Sequence, residues 1–522
     1  MHHVPKTLKE ALLCTEANWA EAVWLEYNTL CSMGTFGFHP IDPNKTYLNV
    51  LPKFSVKSDG RCKMRLVVDG SKQDPRTGSY DMDNTFAATV DTTSIMALYA
   101  LAVNLNLHLF QADATAAFAN GKLDDKVHVR LPPEFGPDMW ADLWRSLYGL
   151  KQSAAIWQEA QDALLMSIEG MQRNRCDPCW YYLVCGELIV HIVCFVDDYI
   201  LAINGSYEEA EEWYLWFLDF YNDEYKLNGL GELKHALGLS LQRGEGSLEL
   251  RRTKPIMELL EKFNMADALP AKYPMDKNFS LTSPAVPVPQ KMFIVLFGAL
   301  MFIGRVARPD ILPALKRLGR FTANHDATHW EALKHILRYL KSNPDMPLTV
   351  NKGMGGALGK ARLTAMADSS HADCAMTRRS TSGHLIFFNG TPVAFNSRRQ
   401  SVVALSTTEA EIIALSECLK DVLYLYQLLD QMHPVELPII IYEDNKACRD
   451  TLSNPAAHGV TKYIDLRYMH AREYIKKGII KIQAVSTDDN VADFFTKPLV
   501  GEKFERFRAV IMGHTQAYFP TV

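Results

Sequence analysis

Several features that would indicate a membrane, secreted or zinc-stabilised protein are missing from this sequence. Its most apolar run, Met292 to Gly304, is shorter than the roughly 20 residues that a membrane-spanning helix needs. The N-terminus has no charged stretch followed by an apolar one, so no signal peptide is predicted. The 10 cysteines follow no repeating framework. Cys176 and Cys179 form a lone C-x-x-C pair without a nearby histidine, which favours reduced intracellular thiols over a zinc site.

An excess of charge of one sign is missing too. The 55 Lys and Arg residues against 60 Asp and Glu give a net charge of −5, so a globally basic nucleic-acid-binding protein is excluded. One local stretch is basic and fits either a polyanion-binding surface or a solvated helix face. Its cations are Arg305, Arg308, Lys316, Arg317, Arg320, Lys334, Arg338 and Lys341.

Length and composition predict a globular protein with several domains. The chain has 522 residues, of which 48% are hydrophobic and 22% charged, and two to four domains of roughly 100–200 residues are therefore expected. Hydrophobic periodicity and clusters of glycine and proline divide it into four segments. These are a helical N-terminal segment (1–47), a strand-rich segment (48–250), a helical and basic segment (251–355) and a terminal α/β segment (361–513).

The clearest chemical signal is a pair of adjacent carboxylates, Asp197 and Asp198, inside the apolar run from Leu188 to Ile203. Burying unpaired charges costs several kcal/mol or more, so such a pair at a hairpin turn calls for cations. The alternative is an exposed hairpin tip with Asp at its turn positions. Asp113 ends another short strand. Three carboxylates on two neighbouring strands can hold two divalent ions about 3.5–4 Å apart.

Three sequence motifs make this interpretation specific. "DATAAFANGKLDDKVHVRLPPEF", "LWRSLYGLKQSAAIW" and "CFVDDYILA" resemble, in this order, the polymerase motifs of copia-type reverse transcriptases, and "DGRCKMRLVVDG" resembles their fingers hairpin. The resemblance implies that Asp113, Asp197 and Asp198 bind the polymerase metals. It also implies that Arg65, with Lys63, meets the nucleotide triphosphate, since a forked guanidinium suits phosphate.

The same resemblance implies further nucleotide contacts. Phe118 would exclude the ribose 2′-OH, unless it is an ordinary core aromatic. The floor under the nucleotide and template would consist of Tyr148, Gly149, Lys151 and Gln152.

The terminal segment carries a second group of acidic residues, each where a strand ends or a helix begins. Two of them compete within one helix. Ser406-x-x-Glu409 is a capping box, which explains Glu409 structurally. Glu411 shares a face with Leu415, placing a carboxylate on the apolar stripe, and is the better catalytic candidate. The complete quartet is Asp368, Glu411, Asp444 and Asp493, which could bind two Mg²⁺ ions and activate water against an RNA phosphodiester.

Four more motifs, "STSGHLIFFNG", "STTEAEIIALSE", "YEDNKA" and "DDNVADFFTKPL", resemble copia-type RNase H in order. The resemblance implies an α+β fold, a right-hand polymerase followed by an RNase H-like mixed-sheet α/β domain. It implies two Mg²⁺ (or Mn²⁺) ions per active site, and RNA template, DNA primer, RNA–DNA hybrid and dNTPs as partners. Cations that would follow the duplex phosphates are Arg305, Arg308, Lys316, Arg317 and Arg320.

The resemblance also implies a cytoplasmic location in a virus-like particle, with later transfer to the nucleus. A zinc knuckle, a protease Asp-Ser/Thr-Gly motif and an integrase His/Cys cluster are missing, so a processed product or a truncated reading frame is expected. Two other functions remain open: an inactive or domesticated nucleic-acid-binding remnant, and a nuclease whose polymerase has degenerated.

Overall fold

The computed structural model of the chain describes residues 4–15, 17–56, 60–137, 139–276, 290–453 and 465–520. The pair Asp59-Gly60 predicts a hairpin turn, and the proline-rich run Ser283–Pro289 predicts a linker. Asp59 and the whole of that run lie outside these ranges. Among the described residues, no helix is both long and apolar enough to cross a membrane.

The first sheet has five strands and is covered by two helices. The elements are α1 (Leu8–Leu13), α2 (Trp19–Ser32), β1 (Phe36–His39), β2 (Tyr47–Val56), β3 (Cys62–Val68), β5 (His128–Arg130) and β6 (Trp140–Leu143), with strand order β1-β6-β5-β2-β3. In β3, Met64 and Leu66 point into the core, where they meet Trp19 and Val23 of α2. The alternate residues Lys63 and Arg65 therefore project from the opposite face.

The second sheet has six antiparallel strands in the order β11-β4-β10-β9-β8-β7. Its strands are β4 (His108–Ala114), β7 (Gln172–Arg173), β8 (Trp180–Cys185), β9 (Leu188–Phe195), β10 (Asp198–Ile203) and β11 (Leu227–Glu232), and its helices are α3 (Thr92–Asn104), α4 (Ala117–Asn120), α5 (Ser153–Met166) and α6 (Tyr207–Asn222). The apolar run of β9 and β10 is buried, which places the Asp197–Asp198 pair at one end of a hydrophobic hairpin.

A smaller sheet and four helices follow. The elements are β12 (His235–Ala236), β13 (Leu239–Gly244), β14 (Ser247–Arg251), α7 (Thr253–Lys262), α8 (Gln290–Val306), α9 (Leu312–Leu318), α10 (Ala327–Ser342) and β15 (Leu348–Asn351). Strand β15 pairs with β14 across the four helices between them. The apolar run Met292 to Gly304 predicts a buried helix. The helix is confirmed as α8, but it is only partly buried, since Ile294 and Phe302 are 48% and 46% exposed.

The terminal segment forms a mixed five-stranded sheet with strand order β18-β17-β16-β19-β20. The elements are β16 (Leu363–Ser370), β17 (Thr381–Phe388), β18 (Thr391–Arg399), α11 (Thr407–Asp430), β19 (Ile439–Glu443), α12 (Lys446–Ser453), α13 (Asp465–Lys476), β20 (Ile480–Ala484), α14 (Asp493–Thr496) and α15 (Gly501–Ile511). Strands β16, β19 and β20 are parallel, and β17 and β18 extend the sheet antiparallel. Helix α11 packs on β16 and β17.

Helix α3 joins the second sheet to the terminal segment. All of its residues from Ser94 to Val103 are buried, and the helix contacts β14 and β15 as well as β18 and α11. The contact includes polar groups: Ser94 Oγ lies 2.8 Å from Tyr424 Oη, and Asn389 Nδ2 donates to Asn104 Oδ1 at 2.9 Å. The two parts of the chain therefore share one continuous hydrophobic core.

Arg308 does not belong to a nucleic-acid-binding surface, so that prediction is wrong. Its side chain is 1% exposed, and its guanidinium forms two hydrogen bonds with Asp310, of 3.0 and 2.8 Å. Its third contact is the carbonyl of Asn343 at 2.9 Å, and Tyr339 Oη donates to Asp310 at 2.6 Å. The guanidinium of Arg308 therefore binds groups within the protein and is not accessible to a nucleic acid.

We expect Asp310→Asn to destabilise the fold by about 3–5 kcal/mol, because it leaves the buried Arg308 without its counter-charge. Urea unfolding followed by circular dichroism would measure the change. Glu331→Gln is the matched control, since Glu331 forms an exposed ion pair with Lys334 and such pairs contribute little. Equal stability of Asp310→Asn and the control would contradict this role of the buried pair.

Candidate active sites

The structure brings Asp113, Asp197 and Asp198 together at one end of the second sheet. Asp113 on β4 pairs directly with Asp198 on β10, and Asp197 occupies the turn before β10. The Asp197 carbonyl accepts a hydrogen bond from Ala114 N at 2.7 Å, which ties this turn to β4. The preceding Val196 has a φ of 60°, a left-handed conformation that a β-branched residue adopts only under strain.

The three carboxylates of this site lie close enough to repel one another electrostatically. Desolvation, followed by the charges of Asp197 and Asp113, raises the pKa of Asp198 to about 6. Lys63 opposes them by lowering the pKa. Crowded like charges of this kind favour the binding of a hard cation with oxygen ligands.

A cavity of about 910 Å³ separates these carboxylates from the first sheet. Asp113 and Asp197 line it on one side, and Lys63, Arg65 and Tyr148 line it elsewhere. The Arg65 guanidinium lies over the Tyr148 ring at 5.1 Å. Two predicted triphosphate-binding cations therefore share one cavity with two of the three acids.

Phe118 stands behind Tyr148, with its ring edge-on at a centroid distance of 4.8 Å. It is partly buried and also packs against the core of the second sheet. The sequence left two roles open for Phe118, a steric gate and a core aromatic, and this position is compatible with both.

The side chains of Lys151 and Gln152 form hydrogen bonds within the protein, next to the turn that carries Tyr148 and Gly149. Gln152 is 2% exposed, and its amide donates to Ser79 O at 2.9 Å and to Asp125 Oδ2 at 2.8 Å. Lys151 Nζ donates to Tyr80 Oη at 3.0 Å. Neither side chain lines the cavity of the carboxylates. Their hydrogen bonds hold the turn in place, and their part in the floor under the nucleotide and template stays a prediction.

Gly149 has a positional role in the same turn. Its φ is +95°, and a Cβ at this position would lie 2.1 Å from the carbonyl oxygen of Val68. Only glycine permits this approach. It brings the Tyr148 carbonyl within 2.7 Å of Val68 N, so Tyr148 is fixed next to β3.

Sequence reasoning missed the residues that complete the cavity. Glu26 of α2 lines it and accepts a hydrogen bond from Leu66 N at 3.3 Å. Asn228 of β11 donates to Thr115 Oγ1 at 2.7 Å beside Asp113. Neither position carries a local signal, because each reaches the site only through packing of segments distant in sequence.

The four predicted acids of the terminal segment also lie close enough to interact. Asp368 lies near the end of the central strand β16, and Glu411 lies in the second turn of α11. Asp444 follows β19, and Asp493 begins α14. Burial and then the charge of Asp493 raise the pKa of Asp368 to about 7. Burial and then Asp368 raise the pKa of Glu411 to about 9.

Two lysines neutralise one side of this cluster. Burial acts to raise the pKa of Asp493, but hydrogen bonds from Lys497 and Lys503 lower it below its ordinary value. Lys497 Nζ lies 2.5 Å from Asp493 Oδ1 and 3.6 Å from Asp368 Oδ2, and Lys503 Nζ lies 2.8 Å from Asp493 Oδ2. Thr496 Oγ1 also donates to Asp368.

Glu443 is a fifth acid that the sequence analysis missed. It is fully buried, and burial followed by the charge of Glu411 raises its pKa well above the ordinary value. Within the described residues, one carboxylate oxygen of Glu443 and one of Glu411 have no hydrogen-bond partner. In the motif "YEDNKA" the neighbouring Asp444 was already assigned as the acidic residue, so nothing in the sequence indicated a role for Glu443.

The donor set of both clusters fits hard divalent cations, although their arrangement is not that of a preformed cage. Carboxylate oxygens are the preferred ligands of Mg²⁺, and two buried oxygens of the terminal cluster are unpartnered. Within the described ranges, no group of three or more His, Cys, Asp or Glu side chains is close enough to hold a metal ion as it stands. Side-chain adjustment, including that of Lys497, would have to accompany binding.

The predicted phosphate-binding cations do not form one surface. Arg317 and Arg320 both approach Asp373 of the terminal segment, at 3.8 and 3.4 Å. Arg320 also donates to Thr381 Oγ1 at 2.9 Å. With Arg308 buried, only Arg305 and Lys316 of the five lack an anionic partner in the described part of the chain.

Sequence comparisons cover nearly the whole chain. Residues 44–277 match the reverse transcriptase (RNA-dependent DNA polymerase) family. The chain is 31% identical over 98% of its length to the Pol polyprotein of transposon TNT 1-94 from Nicotiana tabacum, 28% over 96% to that of transposon RE2 from Arabidopsis thaliana, and 25% over 93% to the Ty1-BL Gag-Pol polyprotein of Saccharomyces cerevisiae. These relatives are much longer, and the chain spans 39%, 34% and 28% of their lengths.

Two solved structures share the fold. One is the foamy viral protease-reverse transcriptase dRH in complex with double-stranded DNA, with a TM-score of 0.55, 15% identity and coverage of 91% of this chain and 70% of that one. The other is the foamy viral protease-reverse transcriptase in complex with an RNA/DNA hybrid, with a TM-score of 0.53, 13% identity and coverage of 90% and 54%. The right-hand polymerase with an RNase H-like domain is therefore the correct fold class. Residues 44–277 therefore match the reverse transcriptase family, and nearly the whole chain is similar to the copia-type Pol polyproteins of plant and yeast transposons.

Proposed function

We propose that this chain is the RNA-directed DNA polymerase of a copia-type retrotransposon and that its terminal domain has RNase H activity. The observation that carries the proposal is the pairing of Asp113 with Asp198 across β4 and β10, with Asp197 at the adjoining turn. Two of these acids, Asp113 and Asp197, line a cavity that Lys63 and Arg65 also line. A site with acids on one side and cations on another suits a nucleoside triphosphate and the primer end.

Divalent cations are part of this proposal. Two Mg²⁺ (or Mn²⁺) ions in each site would supply charge neutralisation of the phosphate oxygens and activation of the attacking hydroxyl or water. Asp113, Asp197 and Asp198 would hold the first pair. The residues that would hold the second pair are Asp368, Glu411, Asp444 and Asp493.

The protein's own side chains would bind and orient the substrates. Lys63 and Arg65 would bind the triphosphate, and stacking on Tyr148 limits the directions in which the Arg65 guanidinium can point. In the terminal domain, the unpartnered oxygens of Glu411 and Glu443 would gain partners when cation and hybrid bind. RNA template, DNA primer, dNTPs and RNA–DNA hybrid are the proposed partners, and the complexes of the two foamy viral proteins with duplexes support nucleic acid as the ligand.

Primer extension on an RNA template and cleavage of a labelled RNA–DNA hybrid, each with Mg²⁺ and with a chelator, test the proposal. We expect both reactions with Mg²⁺ and neither with the chelator. Hybrid binding without either reaction would indicate an inactive remnant, and cleavage without extension would indicate a nuclease alone.

Phe118→Ala should relax discrimination against ribonucleotides by about 10–100-fold, since removing a ring opens space of the size that steric exclusion uses. The ratio of kcat/KM for dNTP and rNTP measures this. Phe86→Ala, at an aromatic that is 82% exposed, is the control. Unchanged discrimination in Phe118→Ala, together with lower stability, would assign Phe118 to the core only.

A further inference from the structure

Helix α6 is held on the second sheet by one face, while its outer face carries large apolar side chains. Phe217 and Tyr221 are buried in the core of that sheet, and Tyr214 Oη donates to Gln111 O at 2.7 Å. On the outer side, Leu215 and Trp216 remain 53% and 44% exposed. The anchoring of the helix on the sheet therefore does not depend on these two side chains.

Three aromatic rings form a continuous row along the helix, which we call the aromatic ridge: Trp213, Trp216 and Phe220. The ring centroids of Trp213 and Trp216 lie 5.3 Å apart, and those of Trp216 and Phe220 lie 5.4 Å apart with nearly parallel planes. Spacings of three and four residues place them on one side of the helix, over a length of about 10 Å. Rigid aromatic side chains of this kind dominate the binding energy of protein interfaces.

The same helix carries negative charge only. Between Tyr207 and Tyr225 the sequence has no Lys or Arg and seven acidic residues, which are Glu208, Glu209, Glu211, Glu212, Asp219, Asp223 and Glu224. Glu212 and Asp219 are exposed and lie one helical turn before and after Trp216. Within the described ranges, no cation forms a salt bridge with any of the seven. The aromatic ridge is therefore bordered by negative charge without an ionic partner.

This charge decides which kind of molecule can occupy the outer face of α6. The phosphates of a nucleic acid or of an anionic lipid would be repelled by the acids. A second copy of the chain, docked through the same face in a two-fold arrangement, would bring acids against acids. An apolar segment bordered by Lys and Arg would instead satisfy both the rings and the carboxylates.

We propose that the outer face of α6 is a docking surface for a basic amphipathic helix of a protein partner. Helix α6 has 16 residues and is about 24 Å long, so about four turns of a partner helix can lie along it. The apolar stripe of that helix would cover the aromatic ridge, and Lys or Arg at its margins would pair with Glu212 and Asp219. Trp216, Glu212 and Asp219 do not line the cavity of the polymerase acids, so docking leaves that cavity open.

Two synthetic helical peptides test this surface on the full chain by fluorescence anisotropy: the basic LKKLLKLLKKLLKL and its acidic counterpart LEELLELLEELLEL. We expect binding of the basic peptide only. Trp216→Ser should weaken it by about tenfold or more, as loss of a central interface tryptophan does. Glu212→Lys/Asp219→Lys should weaken it strongly at low salt and less at high salt, because salt screens exposed charges.

Trp144→Ser is the matched control, since Trp144 follows β6 on the first sheet and is 60% exposed; it should bind the peptide like the wild type. Thermal melting, which needs no catalytic activity, confirms that each variant is folded. Equal affinity of the basic peptide for the wild type and for a folded Trp216→Ser variant would refute the docking surface. Equal affinity of the two peptides for the wild type would refute the role of the acids. A dimer in sedimentation velocity that Trp216→Ser dissociates would assign this face to a second copy of the chain and overturn the proposal.

Discussion

Asp198→Asn is expected to lower the rate of primer extension by about 10³-fold or more, an effect of about 4 kcal/mol on the barrier. Asparagine keeps the shape of the side chain but removes the charge that would hold a cation opposite Asp113. Single-turnover extension of a DNA primer on an RNA template measures the loss. Cleavage of a preformed hybrid by the same preparation should persist, because the terminal acids are unchanged.

Asp223→Asn provides the control for this variant. Asp223 is an exposed residue at the end of α6, and its loss removes the same charge at a position outside the cavity. Extension by Asp198→Asn at the control's rate would refute the assignment of Asp198 as a cation ligand. Loss of both activities would instead indicate a general folding defect, which Asp197→Asn and thermal unfolding would identify.

Glu411→Gln should reduce hybrid cleavage by about 10³-fold and yet stabilise the metal-free protein. The pKa of Glu411 is about 9 in the folded chain against an ordinary value of 4.5, so folding opposes its ionisation. This cost is negligible below pH 4.5 and grows as the pH rises towards 9. Glutamine removes it. In the presence of a chelator, the melting temperature of the variant should exceed that of the wild type at pH 8 more than at pH 5.

Glu409→Gln is the matched control on the same helix. Glu409 Oε2 accepts a hydrogen bond from Leu405 N at 2.6 Å, and Glu409 N donates to Ser406 Oγ at 3.1 Å, so this residue caps α11 and should leave cleavage intact. Full cleavage activity in Glu411→Gln would refute its role as a ligand. A melting-temperature difference that is the same at both pH values would refute the proposed cost of its ionisation.

The convergence of acids could be predicted because it follows from local patterns. Asp113 and the pair at Asp197 each end a short apolar strand, and antiparallel strands of this kind place their ends side by side. The distinction between Glu409 and Glu411 followed from helix periodicity alone. The structure agrees in substance, with the difference that Glu409 reaches Leu405 N rather than the backbone of Ser406.

The direction of individual side chains and the packing of distant segments could not be predicted from the sequence. A run of cations does not reveal that the Arg308 side chain points inward to Asp310, since an exposed arginine and a buried one would have the same sequence around them. Gln152 belongs to a recognisable motif, yet its amide satisfies Ser79 O, a residue far away in the chain. Glu443 is adjacent to a predicted acid, and only its complete burial distinguishes it.

The burial of α3 between the reverse transcriptase domain and the terminal domain has a consequence for how this protein can be divided. A cut near residue 360 would separate α3 from β18 and α11. In one fragment β18 and α11 would lose their contact with α3, and in the other Ser94–Val103 would lose the residues that bury them. Each fragment would then expose to solvent a hydrophobic surface that is buried in the intact protein. The two domains should therefore melt as one cooperative unit, and neither should remain folded and monomeric on its own.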